Sequence, residues 1–468
     1  MKAWPLRFRA TDSAVLLVDD AGGYFRSDDS FLSRYAHRTL TEDDETFLID
    51  HGHAFETEED LSYLSFGYRW TARQAKPGQL SYVILVPTLR CNLACTYCQV
   101  SRAPERAAGF DWTDRTADQT IALLDDLNTD SVKIEFQGGE PLLRLDLLER
   151  VRSFCRTRFR EAQFVVCTNL QVVSDDAWVF LAAEDTFIST SFDSDLETHE
   201  RQRTVSPPLT QQFQQNLAVA IDRVGTRRLS ALPTIDVRRP PVPSTLLQNY
   251  EDLGLRSIYL RPVNYHGFAR KTGSRTNDPT SWNRYYREFM EALIERNYRT
   301  GRVMEEFYFS QCLKRVLRPS IDNHVDLRNP NMLGTDYIVI DYDGRIYPTD
   351  EARMLARIGR IDLSIGTTAD GIDRSKVAHL NESSLNNFDP DCIHCAYQPF
   401  CGSDVVDDIS RYGRVDLPRT DTWFCKRQLG LFDLLFSLIY REDEATRFSL
   451  SRWAGIETWP AELAPRYR

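Results

Sequence analysis

At 468 residues the chain is too long for one ordinary hydrophobic core, and two or three domains are expected. A hydrophobic fraction of 42% beside 27% charged residues describes a globular protein, and no run of about 18 apolar residues is present to cross a membrane. The net charge of −11 argues against a partner recognised through a broadly basic surface, nucleic acid above all.

Residues 1 to about 78 read as a small separate α+β unit. Pro5 to Thr11 and Ala14 to Asp19 have strand character, with Asp20-Ala21-Gly22-Gly23 as the turn after them. A helix is expected from Ser30, and another from Thr41, where Asp44 three residues on completes a capping box. A third, Glu58 to Arg73, runs to the breaker Lys76-Pro77-Gly78. From residue 79 to about 300 strand and helix patterns alternate. Apolar strands are expected at Tyr82–Val86, Val132–Phe136, Phe164–Cys167, Phe187–Ser191, Leu232–Val237 and Ile258–Val263. Helices fall between most of them: one from Thr113, one over Leu145 to Phe159, and a later one bearing the stripe Trp282, Tyr285, Tyr286, Phe289, Met290, Leu293, Ile294. Six βα units imply a parallel sheet curling into a partial (β/α)6, TIM-like barrel, with its chemistry at the C-terminal strand ends. Residues 301–440 change character: a hairpin turning at Asp343-Gly344, a loop-rich cysteine segment from Cys392 to Cys425, and a helix carrying Leu431, Leu434, Leu435 and Leu438. Residues 441–468 form a tail.

The ten cysteines do not resemble a secreted disulfide framework, and Met1 to Ala10 has no apolar signal region, so a cytoplasmic setting is expected. Cys91, Cys95 and Cys98 form a C-x3-C-x2-C run directly after the first barrel strand. A cubane iron–sulfur cluster takes four thiolates, so three leave one iron open. S-adenosylmethionine can chelate that iron, and one electron can then split its sulfonium to release a 5′-deoxyadenosyl radical. A zinc knuckle or unligated thiols is the duller alternative, but no His or fourth Cys lies nearby. The second strand ends in Gln137-Gly138-Gly139-Glu140-Pro141, where paired glycines let backbone approach a ligand closely.

With that motif one βα unit after the cysteine loop, the stretch from about residue 80 to 270 resembles the radical S-adenosylmethionine superfamily. The resemblance includes Thr168-Asn169, Ser191-Phe192-Asp193, His199 and Arg203. It implies that Gln137, Gly138, Gly139, Glu140, Asn169, Ser191 and Arg203 contact the cofactor, that Leu260 lines the adenosine pocket, and that Tyr97 packs near the adenine. Cys392-x2-Cys395-x5-Cys401 with Cys425 looks like the SPASM (twitch-like) extension of peptide-modifying radical enzymes, which usually carries two auxiliary clusters. Here Thr349 and Val405 stand at two expected cysteine positions, and the cysteine expected near residue 330 is missing. All three belong to one auxiliary site. The expectation is therefore two [4Fe–4S] clusters, at Cys91/Cys95/Cys98 and at Cys392/Cys395/Cys401/Cys425, with zinc the alternative at the second.

In sulfatase-maturing relatives an aspartate at the place of Asp350 is the general base, and Glu351 is the fallback. Cys155, Cys167 and Cys312 read as buried apolar thiols. The N-terminal unit resembles the PqqD-like domain, which takes a leader peptide as an added strand. The wording around Cys91, Gln99, Gly138-Gly139 and Cys395 to Gly402 looks like the His-Xaa-Ser system radical maturases. The implied function is modification of a ribosomally made precursor peptide, by a cross-link or oxidised side chain, with flavodoxin or ferredoxin as reductant and neither nucleic acid nor membrane as partner. Rival readings are a formylglycine-forming sulfatase maturase and a non-catalytic peptide-binding scaffold with structural metal.

Overall fold

A computed structural model describes residues 1–11, 14–74, 79–264, 266–270, 278–318 and 332–467. The Lys76-Pro77-Gly78 breaker and the missing cysteine near residue 330 lie outside them. Strand alternation decides the architecture. Burial alternates along Ser131–Phe136 and Thr186–Ser191 and from Phe164 to Cys167, while Tyr82–Leu85 is buried on both faces after Tyr82. Val83, Leu85, Ile134, Phe136, Phe164 and Val166 join Leu148, Val151, Phe180, Leu181 and Phe213 of the surrounding helices in one continuous core. The other face, carrying Tyr82, Lys133, Glu135, Cys167 and Ser189, is left for the barrel interior.

These strands and Leu229–Leu232 pair in parallel and in chain order. The helices between them include Asp114–Asp125, capped by Thr113, and Leu145–Arg158. The expected fifth and sixth strands are each broken in two. Pro233, which has no N–H to give a ladder, separates Leu229–Leu232 from Thr234–Ile235. The sixth divides into Ser257–Ile258 and Arg261–Pro262, and Thr234–Ile235 pairs with the latter.

At the other edge, Tyr337–Ile340 adds in parallel to Tyr82–Leu85, with Tyr337 opposite Tyr82 and Ile340 opposite Leu85. The predicted hairpin is present: Arg345–Tyr347 returns antiparallel, and Gly344 takes φ +81° at the turn. The nine-stranded sheet thus runs across the boundary drawn at residue 300, and the cysteine-rich segment is continuous with the barrel through it.

The N-terminal unit has three more strands than expected: Tyr24–Ser27, and the short antiparallel pair Lys2–Ala3 and Ala54–Phe55. Leu6–Thr11, Ala14–Asp19 and Tyr24–Ser27 form an antiparallel sheet, with Asp29–His37, Glu42–Asp50 and Leu61–Arg73 as helices. The Thr41/Asp44 capping box is present. The first helix takes its cap from Asp28 rather than Ser30, and the third begins at Leu61, three residues later than expected. The Asp60 carboxylate is spent on the amides of Glu56 and Thr57. The outer edge of Tyr24–Ser27 is covered by the tail, through the Arg26 amide on the Pro465 carbonyl and the Tyr467 amide on the Arg26 carbonyl.

Glu306 ties the broken sixth strand to the helix Phe307–Leu317. It accepts from the amides of Leu260 (3.0 Å) and Phe309 (2.7 Å) and from the Tyr286 hydroxyl. Burial pushes its carboxyl up to about 7 from an ordinary 4.5. The folded state therefore holds a proton the unfolded chain releases. The stability from this group is complete below 4.5 and is lost as pH rises through about 7. Between about pH 5 and 8 the wild type should lose stability relative to Glu306→Gln by up to roughly 3 kcal/mol. Thermal melts of both across that range check it, and a constant gap would contradict it.

Candidate functional site

The chain leaves Tyr82–Leu85 through Val86-Pro87-Thr88 and enters the cysteine loop, which is pinned at several points. The Arg90 amide donates to Thr88 Oγ1 at 3.0 Å, and the Arg90 guanidinium holds Asp111 at 2.8 Å. Thr96 donates its amide to the Gln202 carbonyl at 2.8 Å, and Phe268 its amide to the Cys98 carbonyl at 2.9 Å. Cys91, Cys95 and Cys98 are half-buried free thiols. They share one cavity of about 370 Å³ with Tyr97, Gln137, Gly138, Gly139, Asn169, Ser191 and Arg203.

The glycine pair serves a purpose the sequence did not reveal. A Cβ on Gly138 would overlap the Thr88 carbonyl oxygen, and one on Gly139 the Arg90 carbonyl oxygen. The Gly139 amide donates to Thr88 O at 3.0 Å and the Glu140 amide to Arg90 O at 2.8 Å. The close approach is of backbone to backbone, and it holds the second strand end against the root of the cysteine loop.

Glu140 does not line the cavity. Its buried carboxylate caps the turn at the Leu142 amide and accepts from the Asn169 amide at 2.8 Å, so it orients the third strand end. Asn169 in turn donates to Asn92 Oδ1 at 2.8 Å and approaches Cys91 Sγ at 3.7 Å. Tyr97 donates to Asp193 Oδ2 at 2.5 Å and accepts from Arg203 Nη1 at 2.8 Å, and the guanidinium sits 5.6 Å over its ring. Tyr97 and Arg203 therefore form one buried unit beside Cys95. His199 stacks on Phe213 with ring centroids 4.0 Å apart, and burial pushes its ring down to about 2, so it stays neutral and lies off the cavity. Leu260 is also off this cavity. It lines a second one of about 100 Å³, which meets the first at Tyr259, Arg261, Pro262, Asn264 and Glu351.

The opposite wall is polar. Glu135 accepts from the Tyr82 hydroxyl, from Gln137 Nε2 at 2.6 Å and from the Cys167 thiol at 3.2 Å. Cys167 is thus a cavity group rather than a core thiol, because strand pairing sets it opposite Ser189 on the inward face. Cys155 and Cys312 are fully buried. Asp350 lines the same wall. Its Oδ1 accepts both Arg353 Nε (2.9 Å) and Nη2 (2.6 Å). Burial raises its carboxyl above the usual range although Arg353 opposes this.

Cys392, Cys395 and Cys401 lie on consecutive turns, and Cys425 stands in the first turn of the helix Trp423–Ile439. The four are close enough to perturb one another electrostatically. Thr349, fully buried, caps the helix Asp350–Arg357 through the Ala352 amide at 3.1 Å. Val405 packs with Tyr337, Ala352, Leu355 and Val406. Among the described residues no three His, Cys, Asp or Glu side chains stand close enough together to hold a single metal ion.

Residues 85–227 match the family model described as the Radical SAM superfamily. Over that stretch the chain is similar to the radical SAM superfamily. A GTP 3′,8-cyclase of Chlorobaculum tepidum is 28% identical over 240 residues, 49% of this chain and 67% of that one. An uncharacterised protein of Methanocaldococcus jannaschii is 33% identical over 99 residues, 20% of this chain and 32% of its own length. Among solved structures, anSMEcpe with bound AdoMet superposes with TM-score 0.60 at 15% identity, covering 76% of this chain and 97% of that one. SuiB of Streptococcus suis, bound to precursor peptide SuiA, gives 0.50 at 13%, covering 88% and 97%. These likenesses extend the shared fold beyond the radical SAM domain. Three free thiols around a cavity, beside the Gly138-Gly139 turn, fit a site-differentiated cluster.

Replacing Gly139 by Ala should push the second strand end off the Arg90 carbonyl. Iron bound after anaerobic reconstitution should then fall by about four per chain while the fold persists by circular dichroism. Full iron retention in that variant would show the contact to be dispensable.

Proposed function

We propose that this chain is a radical S-adenosylmethionine enzyme that modifies a ribosomally synthesised peptide, nearest in kind to the His-Xaa-Ser system maturases. The observation that carries this reading is the single cavity lined by Cys91, Cys95 and Cys98 and by Asp350. Loaded with a [4Fe–4S] cluster, S-adenosylmethionine and an auxiliary [4Fe–4S] cluster at Cys392/Cys395/Cys401/Cys425, the protein has a 5′-deoxyadenosyl radical to abstract hydrogen and an acceptor for the electron left behind. The chain's own work is placement and proton handling. Asn169 and the Tyr97–Arg203 unit hold the thiolate end of the cavity, and Ser191 offers a hydroxyl at the strand end. Asp350 takes the proton released as the substrate radical is oxidised or coupled. Its Oδ1 is committed to Arg353, which leaves Oδ2 to face the substrate.

Peptide substrates accord with the extent of the fold shared with anSMEcpe and SuiB, whose structures include peptide complexes. The reductant is a flavodoxin or ferredoxin, and the setting is cytoplasmic; no helix among the described residues is long and apolar enough to cross a membrane. Formylglycine formation is the second reading, favoured by the placement of Asp350. Against it, Thr349 and Val405 are committed to capping and apolar packing where a further auxiliary cluster would need thiolates.

Two measurements test this. Anaerobically reconstituted protein should hold about eight irons per chain, and about four or about twelve would overturn the two-cluster count. With dithionite and a short peptide rich in His-x-Ser as substrate, Asp350→Asn should form 5′-deoxyadenosine normally but lose about 100-fold or more of peptide product by mass spectrometry. Wild-type protein that yields no 5′-deoxyadenosine would remove the enzyme reading altogether.

A further inference from the structure

Four arginines surround the C-terminal cysteine cluster, and three have partners. Arg7 pairs with Asp20 at 2.6 Å and donates to the Ile393 carbonyl at 2.6 Å. Arg9 holds Asp433 through two bonds, at 2.9 and 2.7 Å. Arg419 is paired with Asp389 at 2.8 Å and Asp408 at 3.0 Å. The fourth, Arg315 on the helix Phe307–Leu317, is only 3% exposed, and neither Nη1 nor Nη2 has a hydrogen-bond partner among the described residues. Its guanidinium feels Cys401, Cys312 and Tyr308, and no carboxylate is among the groups that act on it. Arg73 adds a further cation nearby, donating to the Arg315 carbonyl at 3.0 Å.

A guanidinium taken out of water without an anion costs several kcal/mol, and chains keep such a group only where a counter-charge completes it. Cys312, one turn back on the same helix, is a buried neutral thiol and supplies none. Cys401 belongs to the cysteine set assigned above to the auxiliary cluster. A cubane with four thiolates is doubly negative when oxidised and triply negative when reduced. We propose that Arg315 is the buried counter-charge of the auxiliary cluster and sets its reduction potential. Because the reduced state carries the extra negative charge, Arg315 stabilises it preferentially and raises the potential, making the cluster a better acceptor for an electron leaving a substrate radical. This rests on the cluster assignment at Cys392, Cys395, Cys401 and Cys425.

The test uses the full chain with Cys91, Cys95 and Cys98 replaced by Ala, so that only the auxiliary site can hold a cluster. Iron content comes first: about four irons per chain are expected, and zinc or no iron overturns the cluster assignment itself, whatever Arg315 does. With iron in place, an anaerobic redox titration followed by electron paramagnetic resonance compares Arg315, Arg315→Lys and Arg315→Gln. The Gln variant should be about tenfold harder to reduce, a shift of about 59 mV for one electron, and the Lys variant should stay near the parent. Loss of iron in the Gln variant alone would also support the role. An unchanged midpoint in the Gln variant, or loss of iron in both, would overturn it, since charge would then not be what the site requires.

Discussion

The site depends on one backbone contact. Where the second barrel strand ends, Gly138 and Gly139 lie flat against the carbonyls of Thr88 and Arg90, and the amides of Gly139 and Glu140 bond back to them. That contact sets the cysteine loop against its neighbouring strand end. Glu140 extends it by capping the next turn and holding the Asn169 amide, and Asn169 reaches back to Asn92 between the first two cysteines. Three strand ends are thereby tied into one rim, the first two through main-chain bonds and the third through the Glu140 and Asn169 side chains. A cofactor site that must hold a reactive intermediate needs such prior order, because geometry lost there is rate lost.

Inside the rim the ionisable groups occur in matched sets. Arg203 lies with Tyr97 and Asp193, Arg353 with Asp350 and Asp341, and Glu135 with Tyr82, Gln137 and the Cys167 thiol. In a low-dielectric interior such sets are steeply non-additive, since removal of one member strands the other without its partner. The polar wall is therefore fixed in orientation as well as in charge, and a bound substrate meets dipoles that do not reorganise as it reacts.

Much of this arrangement was legible in the chain. Alternation and turn chemistry are local, so the strands, the capping box at Thr41 and the hairpin at Asp343-Gly344 could be read directly. Pairings between distant segments could not. Nothing local announces that Tyr337–Ile340 will join the open edge beside Tyr82, or that Pro233 will split a strand that otherwise looks continuous. A lone cysteine in an apolar strand usually belongs to the core, and only strand register shows Cys167 on the inward face. The resemblance that sets Leu260 at an adenosine pocket says nothing of the division of the last barrel strand, beside which Leu260 lines the adjoining cavity. The glycine pair stands out in the chain, but its partner, the carbonyls about fifty residues earlier, is visible only in three dimensions.

Thr349 and Val405 both serve the helix Asp350–Arg357. A cysteine at residue 349 would offer a weak acceptor to the Ala352 amide, whereas the threonine hydroxyl caps that helix start well. Val405 begins its own helix and contributes to the apolar cluster with Ala352 and Leu355 on that same capped helix. The two positions thus stabilise one element from both sides, and that element begins with Asp350. Its carboxylate stands at the helix N-terminus and is clamped by Arg353 one turn on, which fixes its direction into the cavity. This segment is anchored through a cap, an apolar contact and an ion pair, and together these hold the carboxylate in place.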